Sequence, residues 1–136
     1  MTDALADTHA AIWALFEPAR LSAPGLQALQ AAQAAGRRVL VSAITPIEVT
    51  YLAEKGRLAA PILPGLWTAL SDPAIPFDIL PASAEVARAL DRIPRATLPD
   101  MPDRIIAATA LAFGVPLVSA DRKTRALSVP GLSVVW

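Results

Sequence analysis

One helical stretch in the C-terminal third of the chain decides the fold, and it reads Leu98-Pro99-Asp100-Met101-Pro102-Asp103-Arg104-Ile105-Ile106-Ala107-Ala108-Thr109-Ala110. Pro102 suits the first turn of a helix, where its missing N–H costs little, and Asp103 favours the positive end of the helix dipole. Apolar residues then recur at helical spacing over most of the circumference, which predicts a buried helix. The helix begins with Asp103 and leads through Gly114 into a strand predicted over residues 115–118. We therefore expect Asp103 to lie at the rim of a sheet.

The composition limits the chemistry of any bound metal. The chain has 136 residues, of which 54% are hydrophobic, so it is long and apolar enough to form one domain with a core. It has no cysteine and one histidine, which excludes cysteine-bound zinc and iron–sulfur sites and leaves too few ligands for a histidine-rich zinc site. Any metal is therefore expected to be held by oxygen atoms.

Charge and hydropathy patterning point to a cytoplasmic protein. Lys+Arg and Asp+Glu both total 12, so no net field draws the whole molecule to nucleic acid or to an anionic membrane. The N-terminus lacks the basic start and apolar run of a signal peptide, and each apolar stretch is interrupted before about 18 residues. We expect no membrane segment.

Strands and helices are predicted to alternate along the chain. Strands are predicted over residues 3–6, 39–42, 77–80, 115–118 and 132–135. Helices are predicted over residues 8–16, 24–35, 46–55, 61–70 with an interruption at Pro64-Gly65, 84–93, 102–113 and 122–127. This alternation predicts an α/β fold with a mainly parallel central sheet flanked by helices.

Four acids occupy equivalent places in this pattern. Asp7, Glu48, Asp103 and Asp121 each lie at or just before the start of a predicted helix, and three of them directly follow a predicted strand. Ligands bind at the carboxyl ends of the strands in an open parallel sheet, so the four side chains could meet in one crevice. Carboxylates at such distances repel one another unless a cation lies among them, and hard oxygen ligands suit Mg²⁺ or Mn²⁺.

Helix capping is the alternative explanation for each acid taken alone. An acid at a helix N-terminus is ordinary stabilisation, worth roughly 0.3–1 kcal/mol. Thr45-Pro46-Ile47-Glu48 reads as an N-cap, a first-turn proline and a capping-box acid, which would fully explain Glu48. Asp100 is an N-cap candidate as well, or a fifth acid of the cluster.

The segments around these acids resemble the signature blocks of PIN-domain ribonucleases, in particular those of VapC-type toxins of bacterial toxin–antitoxin pairs. The matching segments are Asp7-Thr8-His9-Ala10-Ala11-Ile12-Trp13, Ser42-Ala43-Ile44-Thr45-Pro46-Ile47-Glu48-Val49, Asp100-Met101-Pro102-Asp103-Arg104-Ile105-Ile106-Ala107-Ala108-Thr109-Ala110 and Pro116-Leu117-Val118-Ser119-Ala120-Asp121. Their order and spacing fit the family, and the resemblance covers essentially the whole chain.

The resemblance implies a single PIN-like sandwich domain over residues 1–136 and a divalent-metal-dependent endoribonuclease. The family's acidic quartet falls on the catalytic candidates Asp7, Glu48, Asp103 and Asp121. Of these, Asp7, Asp103 and Asp121 would hold Mg²⁺ or Mn²⁺, and Glu48 would complete the coordination or orient a water. Asp100 and Ser119 match auxiliary positions. The implied partners are an RNA substrate, a cognate antitoxin and a second copy of the chain in a homodimer.

Other residues favour plainer roles. His9 is the one imidazole, but no nucleophile elbow accompanies it, so packing or orienting Asp7 is the favoured interpretation. Trp13, Trp67 and Trp136 are scattered, which favours core or interface positions over base stacking.

Two functions from other classes stay open at the level of sequence. A receiver-like domain would phosphorylate an aspartate and would need a basic residue near the acids, for which the chain offers only the lysines Lys55 and Lys123. A catalytically silent PIN fold would serve as a binding module.

Overall fold

Short parallel strands form the central sheet of the molecule. The computed structural model describes residues 3–136, and in this part of the chain the strands are β1 (Ala4–Ala6), β2 (Val39–Ser42), β3 (Phe77–Leu80), β4 (Leu117–Val118) and β5 (Val134–Val135). They pair in the order β3-β2-β1-β4-β5, and every pairing is parallel. The predicted mainly parallel sheet is confirmed.

Helices connect the strands and cover the sheet. They are α1 (Thr8–Phe16), α2 (Ala23–Ala34), α3 (Ile44–Glu54), α4 (Ile62–Ser71), α5 (Ala84–Leu90), α6 (Met101–Phe113) and α7 (Arg122–Arg125). A short 3₁₀ helix, Pro18–Arg20, follows α1 and was not predicted from the sequence. None of the helices within residues 3–136 combines the length and the apolar character needed to cross a membrane.

The register of the strands separates the two faces of the sheet. Leu5 of β1 is paired with Leu40 on one side and with Leu117 on the other, so these three side chains form a row on the face covered by α5 and α6. Ala4 and Ala6 point to the opposite face, where α1 and α2 pack. Because β1 is central and buried on both faces, small alanines fit it despite their poor strand propensity.

Helix α6 begins and ends as its sequence predicts. The carboxylate of Asp100 caps its N-terminus by accepting a hydrogen bond from the Asp103 amide at 3.2 Å. Gly114 ends it in the left-handed conformation, with φ +65°, which only glycine adopts without strain. The run 106–110 is fully buried, whereas both ends of the helix are exposed.

The predicted capping box at residues 45–48 is wrong. Helix α3 begins at Ile44, whose amide donates to the Ser42 hydroxyl at 3.2 Å, so the chain turns into the helix directly after β2. Thr45 is therefore a fully buried residue of the first turn rather than the N-cap. Glu48 is the fifth residue of α3 and caps nothing.

The predicted interruption of α4 at Pro64-Gly65 is also wrong. Pro61 holds the N-cap position, which places Pro64 in the first turn, where its missing N–H would have had no helical partner. Gly65 lies where α4 crosses α1, and a Cβ atom there would come within 2.4 Å of the Phe16 ring. The glycine thus allows the two helices to approach closely.

Candidate active site

The predicted acids line one cleft at the carboxyl ends of the strands. Asp7 follows β1, Asp121 lies just beyond β4, Glu48 comes from α3, and Asp100 and Asp103 come from the start of α6. The cleft has a volume of about 470 Å³. The structure therefore brings together all five acidic residues that the sequence singled out, although they come from four separate segments.

Asp7 is buried and held in place by two hydrogen bonds. It is 8% exposed, and as the N-cap of α1 its Oδ1 accepts from the Ala10 amide at 2.8 Å. Its Oδ2 accepts from the Ser119 hydroxyl at 2.5 Å. Burial raises the pKa of Asp7 above its ordinary value of 3.8, while the hydrogen bonds from Ser119 and Ala10 oppose that rise. The carboxylate is thus fixed in orientation but costly to ionise.

Ser119 connects Asp7 to Asp121. The Ser119 hydroxyl donates to Asp7 and accepts a hydrogen bond from the Asp121 amide at 3.1 Å. Asp121 is the N-cap of α7, and its Oδ2 accepts from both the amide and the hydroxyl of Thr124, at 2.8 and 2.9 Å. The serine, which is fully buried, therefore ties together two acids from opposite ends of the chain.

Glu48 is oriented by two threonine hydroxyls. Thr8 Oγ1 donates to Glu48 Oε1 at 2.6 Å and lies 3.1 Å from Thr45 Oγ1. Because the single hydroxyl proton of Thr8 goes to Glu48, the Thr45 hydroxyl must be the donor to Thr8. The sequence marked Thr8 and Thr45 only as capping residues, so their function in holding Glu48 was missed.

Asp103 lies close to the other acids of the cleft and, among the described residues, has no hydrogen-bond donor of its own. It is half-buried, and within residues 3–136 no donor forms a hydrogen bond to its carboxylate. Burial, and then the negative charges of Asp100, Asp121, Glu48 and Asp7, raise the pKa of Asp103 from 3.8 to about 7. A cation in the cleft would relieve this repulsion.

Aromatic and cationic residues from α1 and the 3₁₀ helix form the remaining wall. His9, Trp13 and Arg20 line the cleft, and the guanidinium carbon of Arg20 lies 4.6 Å from the centre of the Trp13 ring. The hydrogen bonds to Asp7 come from Ala10 and Ser119, so His9 does not orient that acid and instead packs against Trp13. Arg20 was not identified from the sequence, because no local motif marks a residue after the helix break at Glu17-Pro18.

The donor set fits a hard divalent cation. No group of three or more His, Asp or Glu side chains within residues 3–136 has the arrangement of a finished metal site. The groups that face the cleft are nevertheless carboxylates, which suit Mg²⁺, Mn²⁺ or Ca²⁺, and their mutual repulsion is what such an ion would neutralise. Among the described residues that line the cleft there is no lysine, which a receiver-like phosphorylation site would need.

The fold and the cleft identify the class of protein. The family model described as "PIN domain" matches residues 4–129, and the chain belongs to the PIN-domain family. Over 138 aligned residues, covering 100% of both chains, it is 38% identical to "Ribonuclease VapC22" of Mycobacterium tuberculosis. The resemblance inferred from the four sequence segments is confirmed.

Solved structures repeat the same fold. A structure of VapBC2 from Rickettsia felis, bound to a DNA fragment from its promoter, aligns with a TM-score of 0.70 and 19% identity over 98% of this chain and 97% of that one. A toxin–antitoxin complex from Klebsiella pneumoniae aligns with a TM-score of 0.60 and 25% identity over 96% and 95% of the two chains.

Proposed function

We propose that this PIN-domain protein is a divalent-metal-dependent endoribonuclease and the toxin of a toxin–antitoxin pair. The observation that carries the proposal is the cleft itself, in which five carboxylates from four segments meet and four of them surround Asp103, whose pKa is raised to about 7. The full-length relative named as a ribonuclease supports RNA as the substrate.

We assign the cation to Asp7, Asp103 and Asp121, with Mg²⁺ or Mn²⁺ as the ion. When bound, such an ion supplies Lewis acidity, which stabilises negative charge on a phosphodiester and makes a nearby water more acidic. Ser119 keeps Asp7 and Asp121 at a fixed separation through its two hydrogen bonds. Asp100 adds negative charge at the rim beside Asp103.

Glu48 orients the attacking water. Its Oε1 accepts from the Thr8 hydroxyl, and its Oε2 accepts no hydrogen bond from residues 3–136 and is open to water. The water loses a proton as its oxygen attacks phosphorus, the bond from phosphorus to the 3′ oxygen breaks, and that oxygen takes a proton from solvent, so the products carry 5′-phosphate and 3′-hydroxyl ends. Glu48 is suited to this task because Thr8 and Thr45 fix its position before substrate arrives.

The partners follow from the same assignment. We propose that residues 1–136 act as a single PIN-like domain in the cytoplasm, as a homodimer that binds a small cognate antitoxin. The Rickettsia felis and Klebsiella pneumoniae relatives, whose structures are VapBC and toxin–antitoxin complexes, support an antitoxin partner. Co-purification with a small protein encoded beside this chain tests it.

Cleavage of single-stranded RNA by the purified protein is the direct test. We expect cleavage in Mg²⁺ or Mn²⁺, none in EDTA, and at least about a hundredfold loss in Asp7→Asn and Asp103→Asn, since each removes a proposed cation ligand. Asn also caps helices, so Asp7→Asn should still fold. Asp91→Asn, which removes an exposed acid beyond α5, serves as the charge-matched control.

Two results would contradict the proposal. Asp7→Asn and Asp103→Asn proteins that cut RNA as fast as the wild type would remove the acids from the reaction. A wild-type protein that binds RNA and cuts none in either metal would be a silent PIN binding module. Sequencing RNA 5′ ends after induction in cells would then identify the substrate of an active protein.

A further inference from the structure

The described lining of the acidic cleft includes one side chain with a permanent positive charge. Among the described residues that line the cleft, five are carboxylates and one, Arg20, carries a guanidinium. We propose that Arg20 is a substrate-binding residue, and that its guanidinium holds an RNA phosphate next to the one that is cleaved. This role rests on the proposed function and adds a contact to the strand beside the cleaved phosphate.

Arg20 is held in place from one side by an aromatic platform. Its guanidinium carbon lies 4.6 Å from the centre of the Trp13 ring, which is a cation–π contact. The Trp13 ring in turn lies 5.8 Å from both the His9 and the Trp136 rings, measured between ring centres, and packs against two buried hydrophobic clusters. The packed ring gives the guanidinium a fixed surface to rest on, and among residues 3–136 no acceptor forms a hydrogen bond with its N–H groups.

Within residues 3–136, the one acidic partner of Arg20 is Glu17, which holds it weakly. The Arg20 Nη1 atom is 3.7 Å from Glu17 Oε2, which is too long for a hydrogen bond, and the two side chains are 57% and 56% exposed. An exposed pair at this distance contributes little to stability. The N–H groups of Arg20 are therefore available to a phosphate, which an arginine binds through two parallel hydrogen bonds.

The carboxylates of the cleft repel the phosphates of an RNA strand, so binding the strand requires a cationic residue. A bound cation neutralises the acids around one phosphate, but every neighbouring phosphate of the strand meets the remaining negative charge. Arg20 is the residue on the cleft wall that attracts one of them. His9 lines the same wall and its side chain is exposed, so a base beside that phosphate meets an aromatic ring on which it can stack.

The test compares the removal of Arg20 with the removal of a matched cation. Arg37 is exposed and precedes β2, at the end of the strand opposite to the cleft, so Arg37→Gln controls for net charge. Arg20→Gln removes the charge and Arg20→Lys keeps it without the planar fork. The probe is a fluorescent single-stranded RNA of mixed sequence, bound to the non-cleaving Asp103→Asn protein at several salt concentrations. Cleavage kinetics are measured in the otherwise wild-type protein.

We expect Arg20→Gln to weaken RNA binding about tenfold, as for the loss of one charge-assisted contact. The slope of log affinity against log salt should fall by about 0.7, the value for one phosphate contact to a single strand. The loss should lie mainly in KM rather than kcat. Arg20→Lys should keep the salt slope and recover part of the affinity, and Arg37→Gln should bind like its parent. Thermal unfolding verifies that each variant folds.

Other outcomes would overturn the assignment. Arg20→Gln and Arg37→Gln variants with equal RNA affinity and salt slope would show that Arg20 contacts no phosphate. A loss confined to kcat would show that it acts on the carboxylates instead. If the wild type binds RNA through Arg20 yet cuts none, the proposed function fails and this inference stands. If the protein cleaves RNA and Arg20→Gln has no effect, the proposed function stands and the inference about Arg20 fails. A protein that binds no RNA would refute both proposals.

Discussion

The floor of the cleft and its α6 rim hold their acids in opposite ways. On the floor, Asp7 and Asp121 are helix N-caps whose oxygens accept hydrogen bonds and which Ser119 links together. On the rim, the Asp103 carboxylate accepts no hydrogen bond from residues 3–136, and its pKa is raised to about 7. The floor is thus built by hydrogen bonds before any cation binds, whereas the rim is under electrostatic strain that a cation relieves.

Because of this difference, we expect substitutions on the floor and on the rim to have different effects on activity and stability. A floor residue fixes the positions of neighbouring acids, so its loss should disturb cation affinity and cleavage. A rim acid costs stability in the absence of a cation, so its removal should stabilise the fold while it abolishes activity. Variants on each side test the distinction.

Among the residues that hold the acids in place, the largest effect is expected from Ser119→Ala on the floor. It removes the donor to Asp7 and the acceptor of the Asp121 amide, and we expect a loss of about 10–100-fold in cation affinity and cleavage. Calorimetric titration of Mn²⁺ and the rate of RNA cleavage measure it.

Ser42→Ala is the matched control for this change. Ser42 is also fully buried at the end of a strand, but its hydroxyl bonds the Ile44 amide rather than an acid of the cleft. Each variant should lose about 1 kcal/mol of stability. Equal losses of cleavage in the two variants would show that the floor has no special function.

A smaller effect is expected from Thr8→Val at the junction of floor and α3. The variant keeps the shape of the side chain but removes the hydroxyl that holds Glu48, so we expect about a tenfold drop in kcat, as for other residues that orient a ligand. Thr8→Ser keeps the hydroxyl and should restore the rate. A Thr8→Val enzyme with wild-type kcat would show that Glu48 needs no fixed orientation.

The smallest effect concerns stability without a divalent cation. Because the pKa of Asp103 is about 7 in the folded protein and 3.8 ordinarily, the folded state binds more protons than the unfolded state between these values. Stability therefore falls as the pH rises from about 4 to 7, and the full penalty is present above 7. Burial raises the pKa of Asp7 as well, so Asp7 adds a change of the same sign.

Asp103→Asn removes its own share of this penalty. Allowing for solvent screening of a half-exposed group, we expect it to be about 1–2 kcal/mol more stable than the wild type in EDTA above pH 7, with a flatter pH dependence. Thermal unfolding across this range measures it, and Asp91→Asn should follow the wild type. Added Mg²⁺ should stabilise the wild type more than Asp103→Asn. If the pH dependence of stability is the same in Asp103→Asn as in the wild type, Asp103 is not the source of the penalty.

Sequence patterns within a few residues predicted most of the fold, and they failed where contacts between distant segments determine the structure. Residues 39–42 and 77–80 are strands within the predicted bounds, because a short apolar run in a parallel sheet needs little context. The capping box at 45–48 has the expected residue types, yet α3 begins two residues earlier, at Ile44, whose amide donates to the Ser42 hydroxyl. Thr45 is consequently buried, and its hydroxyl contacts that of Thr8.

The candidate site divides in the same way. Asp7, Asp100 and Asp121 were predicted at helix starts and are N-caps, since capping joins residues only three positions apart. Their functions as metal ligands, with those of Asp103 and Glu48, stay predictions. Arg20 and the hydroxyls that hold Glu48 could not be predicted, because their partners lie on other elements.

By itself the sequence determined the order of the strands and helices, the family, and which acids stand where strands give way to helices, since these depend on periodicity and on contacts within a few residues. Only the tertiary structure decided how the acids are held and charged. The bond from Ser119 to Asp7 spans 112 positions, and the pKa of Asp103 depends on burial and, besides its neighbour Asp100, on three acids from other segments of the chain. Hydrogen bonds and Coulomb repulsion act over a few ångströms of space, so they exist only once the sheet has brought these segments together.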